Sequence, residues 1–334
     1  MRSITAISRR QFGLWLLCFS LMSCNQKPTP MSPETSGPKK LKIVTTVGMV
    51  TDIVRQVVGD RADVVGLLGE GTDPHLFTPG RNDVDQILKA DVVIYSGLKL
   101  EGNMERALEA ASKKRLVFAA TGRLEDSFLR SPKEFEGHPD PHVWMDPKAW
   151  IKCVSHVAEN LGEIDPDNAA TYHSNAAAYR QQISELDEYI RKITSSIPKS
   201  KRYLVTAHDA FGYFSRAYGL EVKSAQGIST QAEAAVADIN DLVDFLVKNE
   251  IPGLFVESSV SPKNMQAVLE GCRSRGKTVT IVAELYSDAM GAPGTYEGTY
   301  LGMIDHNATR IVQALGGEAP ERGWQGKLAA KGAD

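Results

Sequence analysis

Short apolar runs alternate with longer amphipathic stretches along most of this chain. Lys42–Thr46 (KIVTT), Asp63–Leu68 (DVVGLL), Asp91–Ser96 (DVVIYS) and Arg115–Ala119 (RLVFA) are rich in β-branched residues and almost continuously hydrophobic. After a break the alternation returns with Tyr203–Ala207 (YLVTA), Gly253–Glu257 (GLFVE) and Thr278–Ala283 (TVTIVA). Strands that are apolar on both faces and separated by helices predict parallel sheets covered by helices on both sides. The predicted class is therefore α/β, and the roughly 280 residues from Leu41 to about Gly317 are enough for two lobes rather than one core.

The break between the two series is itself patterned. From Asp167 to about Ser196 the chain has no Pro or Gly and is rich in Ala, with Gln, Glu, Leu and Lys among the rest. That composition predicts one helix of about 30 residues, near 45 Å long. Asp165-Pro166 supplies a start and Pro198 a stop. Ala169, Tyr172, Ala176, Tyr179, Ile183, Leu186, Ile190 and Ile193 recur at three- and four-residue steps, so one stripe can pack along both lobes as a stiff connector. The expected organisation is an N-terminal lobe over 41–165, the connecting helix over 166–197, a C-terminal lobe over 198–318 and a flexible tail over 319–334.

The first residues fix the compartment. Arg2, Arg9 and Arg10 precede the apolar stretch Gly13–Ser23, so residues 1–24 read as an export signal too short to span a bilayer. Leu21-Met22-Ser23-Cys24 resembles a bacterial lipobox, in which Cys24 becomes the lipidated first residue; an ordinary secretory cut nearby is the alternative. Ser8–Phe12 (SRRQF) resembles a twin-arginine signal, and a generic basic leader fits as well, leaving the export route open. Residues 25–40, rich in Pro, Ser, Thr and Lys, read as a tether. The expectation is an exported, membrane-anchored protein on the periplasmic or extracytoplasmic face.

Charge narrows the partners. Removal of 1–24 takes away three arginines and no acidic residue, leaving 35 Lys+Arg against 41 Asp+Glu, which offers no footprint for nucleic acid. Cys153 and Cys272 lie far apart without Cys-x-x-Cys spacing; two free buried thiols or a disulfide both fit an exported chain.

Candidate chemistry centres on a repeated tripeptide. Asp73-Pro74-His75 and Asp140-Pro141-His142 are each followed by an apolar residue, an aromatic one and then a proline: DPHLFTP and DPHVWMDP. Proline fixes its own φ and restricts the residue before it, so each loop presents an imidazole with little backbone freedom left to lose. In open parallel sheets binding groups gather beyond the carboxyl ends of the strands. His75, His142 and His208 all follow predicted strands, and the last strand runs into Glu284-Leu285-Tyr286-Ser287-Asp288. Such a set, drawn from both halves, predicts a metal between the lobes, with Glu284 and Asp288 as alternative carboxylates.

With these motifs in view, the chain resembles the TroA-like zinc/manganese-binding solute-binding lipoproteins of ABC transporters, the cluster A-I or cluster 9 group. The resemblance is carried by DPHLFTP, GLKLEGNM (Gly97–Met104), DPHVWMDP, VTAHDAFGYFSRAYGL (Val205–Leu220), QGIST (Gln226–Thr230), VESSV (Val256–Val260) and ELYSDAMG (Glu284–Gly291). It implies two α/β lobes joined by one long helix, a metal in the interlobe cleft, and His75, His142, His208 and Asp288 as ligands. Asp73, Asp140, Asp209 and Glu257 are candidates for the shell around them. It further implies Zn2+ or Mn2+ as bound cargo, with Fe2+ a lesser candidate. The implied partners are an ABC permease with a cytoplasmic ATPase and the membrane, through a lipid at Cys24; a monomer is expected. His208 stands where manganese-selecting members often carry Glu, and the interval Gly122–His138 is shorter than the His-rich loop of zinc-specific members, with only Glu125, Asp126, Glu134, Glu136 and His138 as potential donors.

Two other classes compete. A metal-dependent hydrolase needs an open coordination position, a bound water and a general base, and the chain has no His-Glu-x-x-His, Gly-x-Ser-x-Gly or phosphate-cradling Gly loop. A surface adhesin would use metal only to hold its fold. His138, His156, His173 and His306 are expected to be surface or structural residues.

Overall fold

The computed structural model describes residues 40–135 and 137–329. The export signal, Cys24 and all but the last residue of the tether lie outside the described residues. Among the described residues no helix is long and apolar enough to cross a membrane.

The first half builds a four-stranded sheet. Strand β1 (Leu41–Thr45) leads through helix α1 (Gly48–Val58) to β2 (Ala62–Gly66); α2 (Arg81–Lys89), β3 (Val92–Tyr95), α3 (Glu105–Ser112) and β4 (Leu116–Ala119) come next, and α4 (Pro147–Ile164) closes the half. The order is β2-β1-β3-β4 and every pairing is parallel. Ile43, Val92, Val93 and Ile94 are fully buried, as continuous apolar runs require of central parallel strands. Beyond β3 the backbone turns left-handed at Gly97, Leu98 and Lys99 (φ 97°, 56° and 69°). Two non-glycine residues persist there because buried Glu101 pins the turn, accepting from Thr46 Oγ1 (2.6 Å) and from the N–H groups of Ser96 (2.6 Å) and Gly97 (3.2 Å).

A 3-10 turn at Pro166–Asn168 opens helix α5 (Ala169–Ser195), whose 27 residues span about 40 Å at the usual rise. Seven of the eight stripe residues, from Tyr172 to Ile193, are buried, and His173 is exposed. The buried face meets α1 and α4, and also α9 (Tyr300–Ala314) of the second half. Tyr179 donates to buried Asp52 of α1, Asn175 Nδ2 to Val57 O, and Tyr189 hydroxyl meets that of Thr309 on α9. One helix is thus bonded along both halves, which is the physical content of a stiff connector.

The second half holds β5 (Tyr203–His208), α6 (Gly212–Tyr218), β6 (Glu221–Gln226), α7 (Val236–Lys248), β7 (Gly253–Glu257), α8 (Lys263–Ser274) and β8 (Thr280–Leu285) before α9. Its strands form two parallel pairs, β5-β6 and β7-β8, with β5 lying against β7. Strand β6 was not foreseen: its sequence EVKSAQ is half exposed and lacks an apolar run. Strand β8 starts two residues later than its apolar run and continues through Leu285, opposite Glu257. Cys153 and Cys272 are free, buried thiols.

The expected flexible tail requires correction. Residues 319–329 fold back onto α9: Leu328 is fully buried, and the Trp324 N–H donates to both oxygens of Asp305 at 2.9 Å. Gly323 (φ 62°) makes the close approach, since a Cβ there would lie 2.6 Å from the Asp305 carboxylate. Burial pushes the Asp305 carboxyl up to about 6, with the Trp324 N–H holding it back. Removing residues 319–334 is expected to destabilise the protein by about 3 kcal/mol or more, from the lost Leu328 and Trp324 packing. In a chain of this size that is a fall in Tm of roughly 5–10 °C, which differential scanning calorimetry reads directly.

Candidate metal centre

The two Asp-Pro-His loops share a local design. In each, Asp Oδ1 accepts the N–H of the His two residues on: Asp73 from His75 at 2.8 Å and Asp140 from His142 at 2.9 Å. Both are turns closed by an aspartate side chain, with proline at the middle position restricting φ. A capped helix anchors each loop on its C-terminal side. Asp146 caps α4 by accepting from Lys148 N at 3.0 Å, with Pro147 in the first turn, and Asp83 of α2 accepts from Gly80 N at 2.8 Å. The aromatic residue of the second loop also ties it across the molecule: Trp144 is fully buried beside the His142 ring and donates Nε1–H to Ser287 O at 2.9 Å. Asn307 clamps the segment that carries Ser287 by accepting from Tyr286 N (2.9 Å) and donating to Tyr286 O (2.6 Å). Asp288 is therefore presented on a fixed segment.

His75, His142, His208 and Asp288 converge, all buried, with one ligand atom of each within 4.8 Å of the others. His142 Nε2 lies 3.4 Å from His75 Nε2 and 3.3 Å from His208 Nε2. Asp288 Oδ1 is 3.2 Å from His142 Nε2, and Oδ2 is 3.2 Å from His208 Nε2 and 3.6 Å from His75 Nε2. A tetrahedral ion with bonds of about 2.0–2.1 Å sets its donors about 3.3–3.4 Å apart. The contacts of His142 with His75 and His208 fall at that spacing, and the four ligand atoms together lie within 4.8 Å of one another. Both Asp288 oxygens are buried without a well-formed hydrogen bond, 3.2–3.6 Å from the three Nε2 atoms, so protons on those nitrogens or a cation in their place must balance the charge.

The surrounding carboxylates divide into distinct roles. Asp140 Oδ1 meets His142 Nδ1 at 2.8 Å, and Glu257 Oε2 meets His208 Nδ1 at 2.5 Å. Each carboxylate holds its imidazole with Nδ1–H outward and Nε2 turned towards the centre. Glu257 also accepts the N–H groups of Ala207 (2.7 Å) and His208 (2.9 Å), stitching β7 to the end of β5. Asp73 bonds the backbone of His75 rather than its ring. Asp209 is half-buried and its carboxylate bonds none of the four; burial and the charge of Asp140 push its carboxyl up. Glu284 is exposed, which leaves Asp288 as the convergent carboxylate. His138 is exposed beside Phe135, His156 bonds Asn160, and His306 Nε2 meets Glu284 O at 3.0 Å.

Arg130 was not anticipated from sequence. Its guanidinium pairs with Asp140 Oδ2 and lies over the Tyr213 ring, while Tyr213 donates to Asp140 O at 2.8 Å. Gly212 makes room for it, since any side chain there would overlap the guanidinium. A lone arginine between acidic loops carries no pattern that singles it out.

Fold and site together define a metal clamp between two α/β lobes braced by one helix. The chain belongs to the ZnuA family, described as zinc-uptake complex component A, periplasmic, which it matches over residues 43–314. It is 43% identical to the zinc-binding protein TroA of Treponema pallidum over 284 residues, 85% of this chain and 92% of the relative. The solved structure of that periplasmic protein matches with a TM-score of 0.81, covering 83% of this chain and 99% of the other. The manganese-binding lipoprotein MntA of Bacillus subtilis is 39% identical over 297 residues, 89% of this chain and 95% of the relative. The structure of Fe(III)-bound YtgA from Chlamydia trachomatis matches with a TM-score of 0.76 at 26% identity, covering 84% of this chain and 99% of that one.

Proposed function

We propose that this protein captures a divalent transition metal outside the cytoplasmic membrane and delivers it to an ABC permease for uptake. The observation that carries the reading is the buried convergence of three imidazole Nε2 atoms and one carboxylate, their ligand atoms all within 4.8 Å of one another. His75, His142, His208 and Asp288 are the ligands, with Asp140 and Glu257 orienting two of the rings. Zinc is the cargo the donor set favours, because four N/O donors complete its usual shell. Manganese is the second reading, supported by the 39% identical manganese-binding relative and the same hard carboxylate donor. The reading is of a binding protein rather than an enzyme, and it is supported by Asp140 and Glu257 being tied to imidazole Nδ1 atoms, where neither is free to act as a base on a metal-bound water. Cys24 carries the lipid anchor, the chain works as a monomer, and the lobes divide at 41–165 and 198–318.

One equivalent of Zn(II) or Mn(II) is expected to raise Tm, since a ligand at a hundred times its Kd adds about 2.7 kcal/mol to the fold. Thermal melts with each ion, then competition between them and elemental analysis of protein from its own organism, test both capture and cargo. A melting curve unmoved by either ion would sink the reading. Unfolding on metal removal would favour the adhesin, and metal-dependent turnover lost in His208→Ala would favour the hydrolase.

A further inference from the structure

His142 and His208 are oriented through their rings, but among the described residues no hydrogen bond reaches Nδ1 of His75. This imidazole is held through its backbone instead. Its N–H donates to Asp73 Oδ1, and its carbonyl accepts from Gln231 Nε2 at 3.0 Å and Asn103 Nδ2 at 3.4 Å. The other oxygen of Asp73 accepts from Thr230 Oγ1 at 2.6 Å. Asn103 belongs to the loop beyond β3, on the same lobe as His75. Thr230 and Gln231 belong to the loop beyond β6, on the opposite lobe.

That loop is built to hold its position. Buried Gln226, the last residue of β6, donates Nε2–H to Thr230 O at 3.2 Å and to Ala232 O at 2.7 Å. Thr230 is itself buried, so its hydroxyl cannot exchange Asp73 for water without cost. The Gln231 amide also lies over Gly102, where a Cβ would come within 3.7 Å of Nε2. Two side chains from one lobe thus grip the loop of a single ligand on the other.

We propose that Thr230 and Gln231 form an interlobe latch that positions His75 and so sets how long a bound cation is retained. The proposal rests on the metal-binding reading above. Neither residue touches a ligand atom; both are positioning residues, acting through Asp73 and the His75 carbonyl. Releasing the latch loosens one of four donors, leaving His75 only its own-lobe bonds to Asp73 and Asn103, while the rings of His142 and His208 keep their carboxylate partners. A transporter surface that displaced this loop would therefore loosen the ion without contacting it.

Chelator-chase stopped-flow on the Zn(II)-loaded full chain tests this. Thr230→Val and Gln231→Ala are each expected to speed release about tenfold, with association changed far less. Thr230→Ser, which keeps the hydroxyl, is expected to release at the wild-type rate. The Co(II)-loaded variants should also lose tetrahedral absorption intensity, a signature of the donor set that a defect in folding alone would not move. Wild-type release rates in both variants would overturn the latch and leave the metal reading standing. So would a fall in metal-free Tm with an unaltered Co(II) spectrum, which would assign the two residues to folding. Failure of the wild-type chain to retain Zn(II) would instead overturn the metal reading, and the latch with it.

Discussion

Asp288→Ala is expected to lower affinity for Zn(II) roughly a thousandfold, about 4 kcal/mol. Asp288 is the only anion among the four donors, and it is fully buried with them. A dication moved from water into this site loses its hydration, and three neutral imidazoles supply donors without offsetting charge. Asp288→Asn separates the two contributions: it keeps the volume and one donor oxygen but removes the charge, and is expected to lose nearly as much. His75→Ala should lose less, on the order of a hundredfold, because its ring has no carboxylate partner to raise its basicity as Asp140 and Glu257 do for His142 and His208. Competition titrations against a chelating dye read all three. Binding of Asp288→Asn within about tenfold of wild type would show that charge is not what this residue contributes.

The parts of this molecule that were legible from sequence are those where a repeated physical constraint leaves a repeated pattern. The stripe on α5 shows in its sequence because seven buried residues must share one helix face. The Asp-Pro-His repeat was visible because the same turn is built twice, with Asp, Pro and His each fixed by a separate requirement of backbone or donor. Strand β6 escaped because an exposed edge beside β5 needs no apolar alternation, only backbone pairing. The packed segment 319–329 escaped because two residues, Trp324 and Leu328, carry its burial and two residues make no period. Of the four shell candidates, Asp140 and Glu257 meet imidazole rings, Asp73 meets a backbone N–H, and Asp209 meets none. Sequence offers the carboxylate, and only the fold decides which atom it faces. Arg130, Thr230 and Gln231 are single polar residues whose partners lie 10, 157 and 156 positions away, so spacing could not nominate them.

Metal affinity is expected to rise about a hundredfold per pH unit through neutrality, the slope for two protons expelled per ion. In the metal-free protein, burial presses the His142 ring down, but the Asp288 and Asp140 carboxylates outweigh it and lift the pKa to about 9. His208 is likewise lifted well above its ordinary value, with Glu257 and Asp288 overcoming burial. Burial dominates at His75, whose pKa falls to about 3. At neutral pH His142 and His208 therefore carry protons and His75 does not. Because the three Nε2 atoms lie so close, the protons belong to the cluster rather than to single rings. A cation needs all three Nε2 atoms and must displace them, so affinity falls as pH falls and the slope eases above about 9, where His142 loses its proton unaided. Fold stability runs the other way. A histidine raised from 6.5 to about 9 stabilises the metal-free fold fully below 6.5, and that contribution disappears as pH rises through 9. His75 acts in acid: between 6.5 and about 3 the unfolded chain takes a proton that the folded one refuses, which costs stability as pH falls. The increase in Tm on metal addition should consequently widen from acid to alkaline conditions. Calorimetric titrations between about pH 6 and 8, in buffers of different ionisation enthalpy, count the protons released. Near two is the expected number; none, with affinity flat in pH, would mean that the imidazoles wait for the ion already neutral and that Asp288 is balanced by some other charge.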